Sequence, residues 1–259
     1  MKKITANGYA LAPQKVNSVL KQRRVYRDPT ELAQATAELI AQNILNSIFE
    51  RGICYIAFSG GETPRTAYRI LSENPRGVGI DWNKVQIYFV DERMVPPNDT
   101  ESNFLMVEQE LLSRIKIPQQ NIHRIHGELD AKQAGDLYDQ ELRVAFVNAT
   151  PKFDLILLGV GEDGHTASLF PGTDALHATQ QFAVANFVPA KKSWRVTFTL
   201  PVINNARNII FLVSGVAKSQ IISTLSRSMP DDQLLPASLI HPTTGNLEWM
   251  LDAEAASLL

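Results

Sequence analysis

The chain has 259 residues, 44% of them hydrophobic, enough to bury a full core, and we read residues 1–259 as a single α/β domain. Its 25 basic residues nearly balance 27 acidic ones for a net charge of −2, which excludes a global field able to hold nucleic acid or an anionic membrane; any anion must be bound locally. One cysteine, Cys54, excludes an internal disulfide framework and a thiolate metal site and fits a reducing cytosol.

The N-terminal Met1-Lys2-Lys3-Ile4-Thr5-Ala6-Asn7 carries two lysines with no apolar stretch behind them, unlike a secretory signal. No window approaches the roughly 18 uninterrupted apolar residues of a membrane span, so the expected location is cytoplasmic, with no membrane partner. Asp28-Pro29-Thr30-Glu31 predicts a helix start, with Asp28 as N-cap, Pro29 in the first turn and Glu31 completing a capping box. The helix should run to about Arg51 and stop at Gly52.

From there the pattern alternates. A strand at 53–58 holds Cys54 as a buried, inert thiol, and a glycine loop leads to a helix from Arg65 to about Ser72. A strand at 85–90 precedes an acidic loop and a helix from Asn103 to Ile115, then a short strand near Asn121–Ile125, a helix at 130–146 and a strand at 154–159. The apolar runs at 85–90 and 154–158 are too continuous for a half-exposed antiparallel sheet, which points to parallel strands with helices on both faces. Strand-like runs at 182–188, 194–200 and 208–213 follow, with a helix from Ala217 to about Arg227 and a last turn or helix in Leu247–Leu259. Their less regular spacing leaves room for a mixed sheet in the C-terminal part.

Three polar motifs stand directly after predicted strands, where ligands bind in open α/β sheets. Ser59-Gly60-Gly61-Glu62-Thr63-Pro64 offers backbone N–H groups and a helix N-terminus to an anion, without the Lys-Ser/Thr ending of a nucleotide-triphosphate loop. Read blandly, it is a glycine-rich turn with a Thr cap. Asp91-Glu92-Arg93 puts three charges at a buried strand end, where charge is costly unless paired or bound to something; a local ion pair in a surface turn is the plain alternative.

Gly159-Val160-Gly161-Glu162-Asp163-Gly164 matches the dinucleotide fingerprint in form, yet Pro171 interrupts any following helix, and Val184 stands about twenty residues on, where a ribose-binding acid belongs. What remains is Asp163-Gly164-His165, where the glycine lets a carboxylate hold the imidazole tautomer and leave its other nitrogen free to take a proton from water. Arg195, at the start of a strand and just before its 196–200 stretch, and Lys218, after one, are basic groups able to hold a phosphate monoester, or else solvated surface charges. His123 and His126, three apart in an extended segment, point to opposite faces and make a poor metal pair. No metal site is expected, and without a G-x-S-x-G elbow neither is a serine hydrolase.

Together, SGGETP at 59–64, DERMVPPNDTESNF at 91–104, GVGEDGHTASLFPG at 159–172, RVT at 195–197, GVAK at 215–218 and LPAS at 235–238 resemble the 6-phosphogluconolactonase family, in order over nearly the whole chain. That family is grouped with glucosamine-6-phosphate deaminases and isomerases, so the resemblance implies a Rossmann-like α/β fold. The deaminases typically carry Asp-Glu-Tyr where this chain has Asp91-Glu92-Arg93, and Phe-Asn-Glu-Pro where it has Ser168-Leu169-Phe170-Pro171.

The implied activity is hydrolysis of 6-phospho-D-glucono-1,5-lactone to 6-phosphogluconate, without a metal or organic cofactor. The expected partner is the phosphorylated sugar lactone alone, with no nucleic acid, in a monomer or small homo-oligomer. The implied roles are His165 as general base, Asp163 as its orienting carboxylate, and Arg93 at the oxyanion or the phosphate. Gly60, Gly61, Thr63, Asp91, Arg195 and Lys218 would bind substrate. An amino-sugar-phosphate deaminase or isomerase and a non-catalytic sugar-phosphate binder are the competing readings.

Overall fold

The computed structural model describes residues 20, 22–73, 79–227 and 235–259; the Met1–Asn7 stretch lies outside them. Seven strands form the main sheet: β1 (Arg23–Tyr26), β2 (Cys54–Phe58), β3 (Val85–Phe89), β5 (Ile122–His123), β6 (Leu155–Leu158), β9 (Asn208–Val213) and β10 (Asn246–Asp252). Their order across the sheet is β1-β10-β9-β6-β2-β3-β5, and every pair is parallel. β6 is buried along its whole length and β9 from Ile209 on, as the continuous apolar runs require. Burying one such Leu, Ile or Phe contributes roughly 1.5–3 kcal/mol.

The antiparallel part stands apart from this sheet instead of making it mixed. β4 (Asp91–Arg93), β7 (Ala183–Val188) and β8 (Ser193–Phe198) form a second, three-stranded sheet in the order β4-β8-β7. The helices are α1 (Pro29–Arg51), α2 (Glu62–Glu73), α3 (Asn103–Glu110), α4 (Ala131–Ala145), α5 (Leu200–Asn204) and α6 (Ser219–Leu225). Tyr138 of α4 locks the two layers together. Its hydroxyl accepts from Phe89 N–H at 2.9 Å and donates to Phe89 O at 3.0 Å, while its ring stacks on Phe198 of β8.

Several local expectations hold, and others shift. Asp28 caps α1 by accepting from Glu31 N–H at 2.9 Å, and Gly52 ends it in the left-handed region at φ 77°. The Glu31 carboxylate, however, takes its hydrogen bond from Arg27 N–H, one residue before the cap. α2 begins at Glu62, not Arg65, and α3 stops at Glu110 before a separate 3₁₀ turn at Leu112–Arg114. The segment expected to be a last turn or helix begins as strand β10, because Trp249, Met250 and Leu251 are needed in the core, and only after Asp252 does it close in turns. Leu200, expected to end a strand, opens α5.

Cys54 is buried, and burial pushes its thiol up to about 12, so it stays protonated. Among the described residues no helix is long and apolar enough to cross a membrane.

Candidate active site

The loops that follow β2, β6 and β9 leave the carboxyl edge of the main sheet beside the end of the small sheet, around a cavity of about 400 Å³. Gly60, Gly61 and Thr63 form one wall and Asp91 and Arg93 another; His165 and Lys218 complete it. These are seven of the nine residues singled out from the sequence. Asp163 and Arg195 are not in the lining; Asp163 contacts it through His165, and Arg195 pairs across from Arg93.

The glycine wall is built by close approach. Ser59 Oγ donates to Leu157 O at 2.5 Å, tying the end of β2 to the end of β6. A Cβ on Gly60 would lie 1.8 Å from Asn103 Oδ1, and Gly61 sits at φ 105°, so neither position accepts a side chain without strain. Because α2 starts at Glu62, its unpaired first-turn N–H groups open on the cavity. Neither Gly60 N–H nor Gly61 N–H donates to a described residue.

The charged strand end sorts its side chains by alternation. Asp91 and Arg93 face one way with their cross-strand partners Thr197 and Arg195, and Glu92 faces the other. Buried Glu92 caps α3, accepting from the N–H groups of Asn103 and Phe104 at 2.8 Å each and from Ser102 Oγ at 3.0 Å. Burial pushes its carboxyl up and these hydrogen bonds pull it down; the net shift is upward. Asp91, also buried, accepts from Ser168 Oγ at 2.6 Å, and its carbonyl accepts from Asn103 Nδ2 at 2.9 Å. Arg93 donates to the Glu101 carbonyl.

After β6 the chain makes a tight turn that frames the histidine. Gly161 N–H donates to His165 O at 2.8 Å, and Gly164 turns at φ 80°. Asp163 Oδ1 lies 2.5 Å from His165 Nδ1 and accepts from His165 N–H at 3.1 Å. The ring stacks on Phe170 with centroids 4.0 Å apart, and a Cβ on Gly161 would fall 2.0 Å from Nδ1. The imidazole is thus fixed in orientation, and its Nε2 has no hydrogen-bond partner among the described residues. Burial works to raise the Asp163 carboxyl, but its hydrogen bonds with His165 outweigh burial, and the net shift is downward. Where the fingerprint reading would need a helix, Thr166 and Leu169 form a bridge instead.

Lys218 follows Gly215, which turns at φ 91°, and makes no ion pair among the described residues. That loop is held by Asp252, which accepts from Gly215 N–H at 3.0 Å, from Ala255 N–H at 2.8 Å and from Ser214 Oγ at 2.5 Å. Arg195 lies opposite Arg93 with its Nε buried and unpartnered; burial first, and the Arg93 charge second, push its guanidinium down.

Four residues that shape this site were not singled out from the sequence: Asn103, Ser168, Ser214 and Asp252. A signal existed for Asn103, which follows the cap Ser102 at the start of α3. Asp252 gave none, since a helix-like ending hid the strand that carries it.

Comparison with known proteins places the chain in a family. The family model described as glucosamine-6-phosphate isomerases/6-phosphogluconolactonase matches residues 27–249. A 6-phosphogluconolactonase from Synechocystis sp. is 37% identical over 224 residues, 85% of this chain and 90% of that one. The 6-phosphogluconolactonase of Haemophilus influenzae is 35% identical over 88% of this chain and 97% of its own. The solved 6-phosphogluconolactonase from Trypanosoma cruzi superposes with a TM-score of 0.81 at 27% identity, covering 95% of this chain and 99% of its own. A match across most of the chain in sequence and in fold leaves one assignment: the chain belongs to the glucosamine-6-phosphate isomerase/6-phosphogluconolactonase family.

Proposed function

We propose that this protein hydrolyses 6-phospho-D-glucono-1,5-lactone to 6-phospho-D-gluconate, the second step of the oxidative pentose phosphate pathway. The observation that carries the reading is the His165 imidazole on the cavity wall, its Nδ1 held by Asp163 and its Nε2 unengaged. Relatives bearing the lactonase name over nearly their whole length support it.

In this mechanism His165 Nε2 takes a proton from water as the oxygen attacks C1 of the lactone, forming a tetrahedral oxyanion. Collapse breaks the bond from C1 to the ring oxygen, and the imidazolium returns its proton to that departing oxygen. Asp163 holds the tautomer and favours the transient imidazolium. The step draws only on water and the chain's own groups.

The 6-phosphate, distant from C1, goes to the N–H groups of Gly60, Gly61 and the first turn of α2, at Thr63, with Lys218 as counter-charge. Arg93 is assigned to the oxyanion, because its neighbour Asp91 is tied by Ser168 to the loop that carries His165. Asp91 meets a sugar hydroxyl. Arg195 backs Arg93 from behind the wall and raises the positive potential there.

The test couples product formation to 6-phosphogluconate dehydrogenase and runs beside it an assay for ammonia from glucosamine 6-phosphate. The reading requires lactone hydrolysis well above the spontaneous rate and no ammonia. Ammonia release with lactone hydrolysis at the spontaneous rate would establish the deaminase instead.

A further inference from the structure

We infer that Ser214 is a specificity-determining residue that accepts a hydrogen bond from a sugar hydroxyl of the substrate, held to that role by Asp252. The inference rests on the lactonase reading of the site.

It follows from where one proton goes. Ser214 lies at the end of β9 on the cavity wall, four residues before Lys218. A serine hydroxyl has one proton to give. Here it is given to Asp252 Oδ2 at 2.5 Å, away from the cavity. Asp252 is fully buried, and its oxygens already face the N–H groups of Gly215 and Ala255, so both act as acceptors and neither offers a proton back. What Ser214 retains for a ligand is lone pairs.

That sets it apart from the other groups on this wall. The N–H groups of Gly60 and Gly61 and the Lys218 ammonium are donors only, matched to phosphate oxygens. A phosphate dianion has no proton for Ser214, and its oxygens would meet lone pair with lone pair. A sugar hydroxyl has both a proton to donate and no net charge. The donor groups therefore take the dianion, and Ser214, steered by a buried carboxylate, reads the polyol.

The experiment uses the full chain and its Ser214→Ala and Ser214→Thr variants. The readouts are KM and kcat for the lactone, and inhibition by 6-phosphogluconate, by its monodeoxy analogues and by inorganic phosphate. Asp252 keeps its backbone N–H donors in Ser214→Ala, so the variant should fold. Ser214→Cys, near in size and a far weaker acceptor, gives the same comparison if it does not.

Ser214→Ala should raise KM and weaken 6-phosphogluconate by about tenfold, the scale of one hydrogen bond, while Ser214→Thr keeps most of the affinity. Inorganic phosphate should inhibit all variants equally. One monodeoxy analogue should bind Ser214→Ala as well as 6-phosphogluconate does. Unchanged 6-phosphogluconate binding in Ser214→Ala, or an equal loss for inorganic phosphate, would overturn the assignment. Absence of wild-type lactone hydrolysis, with the Ser214 effect on 6-phosphogluconate binding intact, would remove the proposed activity and leave Ser214 as a hydroxyl reader.

Discussion

His165 is held by a carboxylate, a stacked Phe170 ring and the bare Cα of Gly161, and each hold has a separate consequence. Replacing His165 with Ala removes the proposed base but leaves the proposed phosphate-binding wall of Gly60, Gly61 and Lys218 in place. Turnover should fall by about 10²–10⁴, with 6-phosphogluconate binding nearly unchanged, as stopped assays and calorimetry would show. The Asp163 carboxyl is held below its ordinary value, so the folded protein binds fewer protons there than the unfolded chain. Its stabilisation is complete above roughly pH 4, the unfolded value, and disappears as pH falls through the depressed folded value. Asp163→Asn should accordingly melt below wild type at neutral pH and converge with it in acid; a gap that persists unchanged in strong acid would contradict this. The gap should be small, because the Asp163 side chain is 49% exposed.

At the scale of elements, the site depends on how the sheet ends are pinned. Glu92 shows it best: one carboxylate caps α3 and thereby sets Asn103 against both Gly60 and Asp91. Glu92→Gln would turn an amide N–H₂ toward donors that now find an acceptor. It should cost about 1–3 kcal/mol in urea unfolding, and loss of less than a few tenths would show the cap to be dispensable.

The sequence made the glycine loops legible, since a glycine between an apolar strand and a helix has few other uses. It did not make β4 legible as a strand, because Asp91-Glu92-Arg93 has no apolar residue to alternate. Nor did it reveal β1, whose Arg23–Tyr26 is an exposed edge held by backbone pairing with β10.

At the scale of the whole molecule, the parallel order was readable from the buried runs at β3 and β6, whereas the split into two sheets was not. Nothing local tells β7 and β8 that they pair with each other and with β4 rather than joining the main sheet. The consequence is that the small sheet carries Asp91 and Arg93 to the cavity while the main sheet brings the glycine loop, His165 and Lys218. His165 and Lys218 were legible as candidates and do line the cavity, while Ser214 and Asp252 were not legible. Their roles depend on β10 lying beside β9, a tertiary fact.

A crystal structure with bound 6-phosphogluconate measures the deciding geometry directly. It should place C1 within hydrogen-bond reach, one water included, of His165 Nε2, with the phosphate at Gly60, Gly61 and Lys218. A product whose C1 lies far from that ring, or whose phosphate occupies the His165 end of the cavity, would contradict it.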